Sequence, residues 1–141
     1  MTNKTIAGIF LIDIRLLSSS HYLSQINHTL FSFYQKFPEA YLTISIFGED
    51  ITMWKHFEKV NKVPTIEPMP SFSKTKLFDS VIQILNQLDP LFEIYDITKT
   101  FCCIASLSKD TGSTQYSLND FLEAIEQRQK KGWQISFIPH K

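Results

Sequence analysis

The chain has 141 residues, fourteen basic against fourteen acidic, with no net charge and a pI near 6.9. Balanced charge argues against broad electrostatic capture of nucleic acid or of an anionic membrane surface. The composition, 43% hydrophobic and 20% charged, is that of an ordinary globular chain. A single domain over 1–141 is expected, burying roughly 68–70% of the surface its unfolded chain would expose. Twelve Phe residues point to an aromatic-rich core. The run Arg128, Gln129, Lys130, Lys131 reads as a solvated helix end.

Residues 5–14 are nearly all apolar, which marks a strand buried on both faces, as in a parallel sheet. The strand ends in one carboxylate, Asp13, at the sheet edge where open α/β folds keep their binding sites. Residues 15–20 form a turn in which Ser18, Ser19 and Ser20 can each cap the next helix. Leu23, Ile26, Leu30, Phe33 and Phe37 then fall at steps of three and four, predicting a helix over 21–37, which Pro38 stops. Residues 40–47 are a second strand. The turn Gly48-Glu49-Asp50 leads to a third over 51–60, with Ile51, Met53, Lys55 and Phe57 on one side and Thr52, Trp54, His56 and Glu58 on the other, an antiparallel partner at the sheet edge.

Residues 61–74 are irregular, with Pro64, Pro68 and Pro70, a kind of loop that often carries function. A helix over 76–88 follows, with Leu77, Val81, Ile84, Leu85 and Leu88 on one face. Asp89-Pro90 is expected to break it and start a short extra helix over 90–97. Residues 100–107 are another buried strand, and 108–115 a polar loop. Ser117 to Asp120 is a capping box that opens a helix to about 131 with Phe121, Leu122 and Ile125 inward. Gly132 ends it before a last strand over 133–138. The alternation predicts an α/β fold with a mainly parallel sheet and helices on both faces, strand 3 antiparallel at the edge.

Cys102 and Cys103 are neighbours in a strand, so they point to opposite faces and are poorly placed to bridge each other. Two packed free thiols suit a reducing compartment. The N-terminus has no secretory pattern, and the run 6–14 is too short to span a membrane. A cytoplasmic protein without membrane or nucleic-acid partners is expected.

The order and landmarks of the chain resemble the von Willebrand factor A (vWA) family over nearly its whole length. Strand 1 ends in Asp13, a hairpin turns near Phe47-Gly48, and Thr75-Lys-Leu-Phe-Asp79 is similar to the family's Thr-x-Leu-Tyr-Asp helix opening. The tail from Tyr116-Ser-Leu-Asn-Asp120 through Gln129-Lys-Lys-Gly-Trp-Gln-Ile-Ser-Phe-Ile138 resembles compact vWA proteins of bacteria and their phages. Many members hold a divalent cation through Asp-x-Ser-x-Ser after strand 1, a Thr in the second loop and an Asp after strand 4, hard oxygen ligands suited to Mg²⁺ or Mn²⁺. Here Asp13 and Thr75 match, Arg15 and Leu17 stand at the two serine positions, and Ser106-Leu107 stands where the last pair falls. The resemblance therefore implies a degenerate metal site. No cofactor is expected, with Mg²⁺ or Mn²⁺ disfavoured; if a metal is held, its ligands are Asp13, Thr75 and Asp110.

The fold that the resemblance implies is a three-layer α/β sandwich with a mainly parallel five-stranded sheet, order 3-2-1-4-5, strand 3 antiparallel at the edge, and the function it implies is a non-enzymatic protein-interaction module. Its binding face is Arg15, Ser18, Ser19, Glu49, Ser73, Thr75, Lys76, Lys109 and Asp110. Another protein is the expected partner, with a phage or mobile-element adaptor or inhibitor as one form of the role. A homodimer through the edge strand, carrying Trp54 and Phe57, is a further expectation. The alternative is a divalent-metal-dependent hydrolase or nuclease using Asp13, Asp79 and Asp110. No Gly-rich phosphate loop follows strand 1, and His21, His28, His56 and His140 have no ligand spacing. Cys102 and Cys103 read as core, since apolar surroundings raise a thiol's pKa.

Overall fold

The computed structural model describes residues 5–70, 75–106, 110 and 112–138. Five strands, β1 (Ile6–Asp13), β2 (Tyr41–Phe47), β3 (Ile51–Glu58), β4 (Lys99–Ala105) and β5 (Gln134–Ile138), alternate with helices α1 (Ser20–Lys36), α2 (Leu77–Ile94) and α3 (Leu118–Lys130). The sheet order is β3-β2-β1-β4-β5, with β3 antiparallel to β2 and every other pairing parallel. This is a three-layer α/β sandwich of the expected order, with a vWA/Rossmann-like topology.

The central strand builds both cores. Successive side chains of β1 point to opposite faces. Ala7, Ile9 and Leu11 pack with α2 and α3, while Phe10 and Ile12 pack with Ile26 and Leu30 of α1. Cys102 and Cys103 divide between the same two cores, as the strand alternation requires. Gly8 lies under the Phe33 ring: a Cβ there would come within 2.4 Å of it. Phe33 in turn contacts Phe10, Phe37 and Phe101. A second aromatic cluster joins Tyr41, Phe57, Phe92 and Tyr95, and Phe92 stacks on Trp133. The expected aromatic-rich core is present on both sides of the sheet.

Four expectations are corrected. First, α2 runs unbroken through Pro90 to Ile94. Proline removes one helical hydrogen bond, but the apolar stripe continues past it in Leu91 and Phe92, which pack on the same core as Leu85 and Leu88. Second, Leu122 is exposed, and Ala124 takes the inward position beside Phe121 and Ile125. Third, Arg128 is not a solvated helix end. It is 5% exposed, because it extends the buried stripe of Phe121 and Ile125 by one turn. It pairs with Asp89 at 2.8 Å and donates to Asn86 Oδ1 and the Ala124 carbonyl. Fourth, Phe57 does not lie on the open edge. It adopts φ 49° where the β2–β3 register shifts, its N–H donates to Thr43 Oγ1 at 3.1 Å, and its ring is buried. Trp54 on the same strand is exposed.

Candidate functional site

The carboxyl edge of the sheet is organised by Asp13. Its odd position in β1 aims the side chain to the α2 side, at the point where the strand ends, and it is fully buried. A 3-10 turn, Ile14–Ser18, follows directly, so Arg15 folds back over the strand end. The Arg15 guanidinium grips the carboxylate: Nε lies 3.1 Å from Oδ1 and 3.0 Å from Oδ2, and Nη2 lies 2.6 Å from Oδ2. The Arg15 backbone N–H donates to Oδ1 at 3.0 Å. Thr75 Oγ1 donates to Oδ1 and Ser106 Oγ to Oδ2, each at 3.1 Å. Each oxygen thus accepts three contacts, with Nε shared between the two, so five donor groups more than fill the roughly four lone-pair sites of a carboxylate. The cluster ties together the ends of β1 and β4 and the lead into α2.

The other two carboxylates singled out in the sequence do different work. Asp79, in the first turn of α2, accepts from the backbone N–H groups of Thr114, Gln115 and Tyr116 at 2.9–3.3 Å. Asp110 accepts from Phe78 N–H at 3.3 Å, and from the N–H and hydroxyl of Ser113. Ser113 Oγ accepts in turn from Asp79 N–H at 3.0 Å. The start of α2, which has no side-chain cap at Lys76, is capped by this loop instead. The two acids latch the loop before α3 to α2, and both lie where the helix dipole favours negative charge.

The remaining residues of the expected face are distributed as follows. Ser18 and Glu49 are exposed, Arg15 and Lys76 half-buried. Ser19 is spent on capping α1, accepting from Tyr22 N–H. Thr75 is fully buried, so it braces the face from beneath rather than forming it. Ser73 and Lys109 lie outside the described residues. Lys76 N–H donates to the Gly48 carbonyl at 2.9 Å, and Met69 N–H to the Leu17 carbonyl at 3.2 Å, drawing the loop over 61–70 and the hairpin turn toward the strand ends. Between them opens a cleft of about 280 Å³ lined by Ile14, Ile46, Phe47, Glu49 and Met69. Sequence reasoning had no place for Ser113; the signal was its spacing, three residues after Asp110, which suits a side-chain-to-backbone bond of the kind made at helix N-caps.

A divalent cation does not fit this donor set. The vWA-type site needs an open carboxylate, and a guanidinium already sits against the one at Asp13. Asp110, the expected replacement ligand, faces α2 and Ser113. Among the described residues no three of His, Cys, Asp and Glu come together as a metal-binding group. The thiols stand apart from this edge. Burial pushes Cys103 up to about 11, an effect moderated by its hydrogen bond with Ser136, and pushes Cys102 higher still.

Comparison with known proteins gives a likeness of fold. No family model and no curated protein matches the chain. Two structures of proximal thread matrix protein 1 from the mussel byssus superpose with TM-scores of 0.61 and 0.64 at 12% identity, over 95% of this chain and 36% and 35% of theirs. The ArnB paralog VWA2 from Sulfolobus acidocaldarius superposes with a TM-score of 0.51 at 15% identity, over 80% of this chain and 30% of its own. The chain spans about a third of the length of each. At these identities the likeness is one of fold, and the fold is vWA-like. Among the described residues no helix is long and apolar enough to cross a membrane.

Proposed function

We propose that this chain is a non-enzymatic protein-interaction module of vWA type, whose binding face lies at the carboxyl edge of the sheet and works without a metal ion. The observation that carries this reading is the saturation of Asp13. The one carboxylate buried at the strand ends is consumed by Arg15, Thr75 and Ser106, so it is held for architecture rather than for acid–base or metal chemistry. Around it stand the exposed Ser18 and Glu49, Lys76, and the cleft beside Met69, polar and apolar surface of the mixed kind that protein partners use. Fold alone does not carry function, so the reading rests on this edge.

The test is a photo-crosslinking amino acid placed singly at Ser18, Glu49 and Lys76, with Gln83 on the exposed side of α2 as control. The reading expects one discrete adduct from the edge positions and none from Gln83. Adducts from Gln83 alone would move the interface to another face.

The same reading puts the protein in the cytoplasm, in keeping with its two buried unbridged thiols, and makes it a bacterial or phage adaptor or inhibitor, in keeping with the resemblance of its tail. A homodimer through β3 would rest on Trp54, since Phe57 is buried. The competing reading, a metal-dependent hydrolase or nuclease using Asp13, Asp79 and Asp110, has against it that each of these acids is engaged by a different set of donors.

A further inference from the structure

A larger recess lies away from the strand ends that carry Asp13. Strand β3 is an edge of the sheet, and together with residues 59–65, which follow it, it encloses a groove of about 780 Å³. The groove sits at the end of β3 remote from the Gly48-Glu49-Asp50 turn, where Glu58 stands opposite Leu42 near the start of β2. We infer that it is a docking site for an acidic, extended segment of a protein partner, with Trp54 as the apolar anchor and Lys55, Lys59 and Lys62 as the charged contacts. The inference goes beyond the reading above: it concerns a different face, and either can stand without the other.

The strand itself brings these side chains together. β3 pairs with β2 through two register shifts, irregularities that re-aim side chains at a sheet edge. After them Lys55 stands opposite Ile44 and Glu58 opposite Leu42. Ile44 and Leu42 both lie in the core on the α1 side, so Lys55 and Glu58 share that face. The opposite wall is pinned. Pro64 and Ile66 are buried. The Asn27 side chain donates to the Ile66 carbonyl at 3.0 Å and accepts from its N–H at 2.8 Å. A groove with a fixed wall spares part of the ordering cost of binding. Among the described residues no strand pairs with the outer edge of β3, and open backbone groups on an edge suit an extended segment.

The chemistry of the lining selects the partner. The whole chain carries no net charge, yet the lining holds three lysines against one carboxylate, Glu58. Glu58 pairs with Lys55 at 3.5 Å, and Glu39 lies 4.0 Å from Lys59. Exposed pairs of this kind are worth little and exchange readily. Lys62 is exposed and forms no ion pair among the described residues. Trp54 is 41% exposed, and an indole is the side chain most often found as the anchor of an interface. Carboxylates flanking an apolar side chain complement this arrangement. A nucleic acid fits less well, because the Lys55 ammonium lies 5.5 Å from the Trp54 ring centroid and covers one face that a base would need for stacking. A second copy of the chain fits less well too: a two-fold contact through the groove would set lysine against lysine.

The experiment is selection of a displayed library of random peptides on the native chain, followed by fluorescence anisotropy of the recovered peptides and of an oligo-dT control. The expected peptides are rich in Asp and Glu and carry an aromatic or branched aliphatic side chain. Trp54→Ala should weaken their binding at least about tenfold, the loss of an anchor residue. Lys62→Glu should weaken it about threefold or more, and the difference should grow at low salt. Lys59→Gln combined with Lys62→Gln touches only exposed side chains and guards against a Trp54→Ala variant that fails to fold; it should also weaken binding while leaving the melting midpoint in place. Recovery of no peptides, of peptides without acidic enrichment, or of acidic peptides indifferent to the folded variants would overturn the inference. So would tighter binding of oligo-dT than of the peptides, or a native dimer that Trp54→Ala dissociates.

Discussion

Arg15 reaches back two residues to clasp Asp13, its Nη2 2.6 Å from Oδ2 and its Nε within 3.1 Å of both carboxylate oxygens. Because the carboxylate is fully buried, the pair is worth far more broken than its net contribution when intact. Losing one partner of a buried pair typically costs about 3–5 kcal/mol, through the charge left behind. Arg15→Met should therefore destabilise by about that amount in urea unfolding, whereas Asp13→Asn with Arg15→Met should lose clearly less than the sum of the two single changes. Additive losses would mean that the two side chains do not act as a pair.

Asp79 holds three consecutive backbone N–H groups, those of Thr114, Gln115 and Tyr116. An amide in its place turns an NH₂ toward at least one of these donors. Asp79→Asn should cost about 1.5–3 kcal/mol, the usual net worth of hydrogen bonds to a charged group, and should speed amide exchange at 114–116 ahead of the sheet. Unchanged exchange at those three residues would place the latch elsewhere.

Pro90 sits inside a continuous α2 and is exposed. Alanine restores the N–H that proline lacks, against a modest gain in unfolded-chain freedom. Since proline in a helix interior is about 3 kcal/mol less favourable than alanine, Pro90→Ala should raise the urea midpoint by the equivalent of about 1–3 kcal/mol. A lowered midpoint would favour two helices with a proline-started second one.

The thiols give the protein an alkaline liability. Burial raises Cys103 from 9.0 to about 11, and Cys102 beyond that. In the unfolded chain both ionise near 9.0, while in the folded chain they keep their protons. Their contribution is therefore fully present below pH 9.0 and is lost as the pH rises toward 11 and past it. Melting midpoints of the native chain should fall more steeply across that window than those of Cys102→Ala with Cys103→Ala. Parallel slopes would show that the decline comes from other groups.

What the sequence made legible follows from range. Period-two and period-3.6 patterns are local, so β1, the α1 stripe and the alternation of strands and helices could be read from them, while the strand order came from the family resemblance. At Pro90 a local rule lost to packing, because Leu91 and Phe92 continue the buried face. Arg128 was misread because its charge outweighed its position on the stripe of Phe121 and Ile125, where Asp89, 39 residues away in sequence, meets it. The Asp13–Arg15 contact spans only two residues and so lies within the same local range. The loop latch does not: its bonds join residues 32 to 37 apart and end on backbone N–H groups, which leave no trace in side-chain spacing.

The most direct measurement of the central claim is the effect of Mn²⁺ on amide NMR signals of the unaltered protein. A paramagnetic ion bound at the strand ends would broaden nearby amides selectively. The account predicts that Asp13, Arg15, Thr75 and Ser106 keep their linewidths at ion concentrations that leave the rest of the spectrum unchanged. Selective loss of those four signals, reversed by a chelator, would show that the ion enters despite Arg15 and would contradict it.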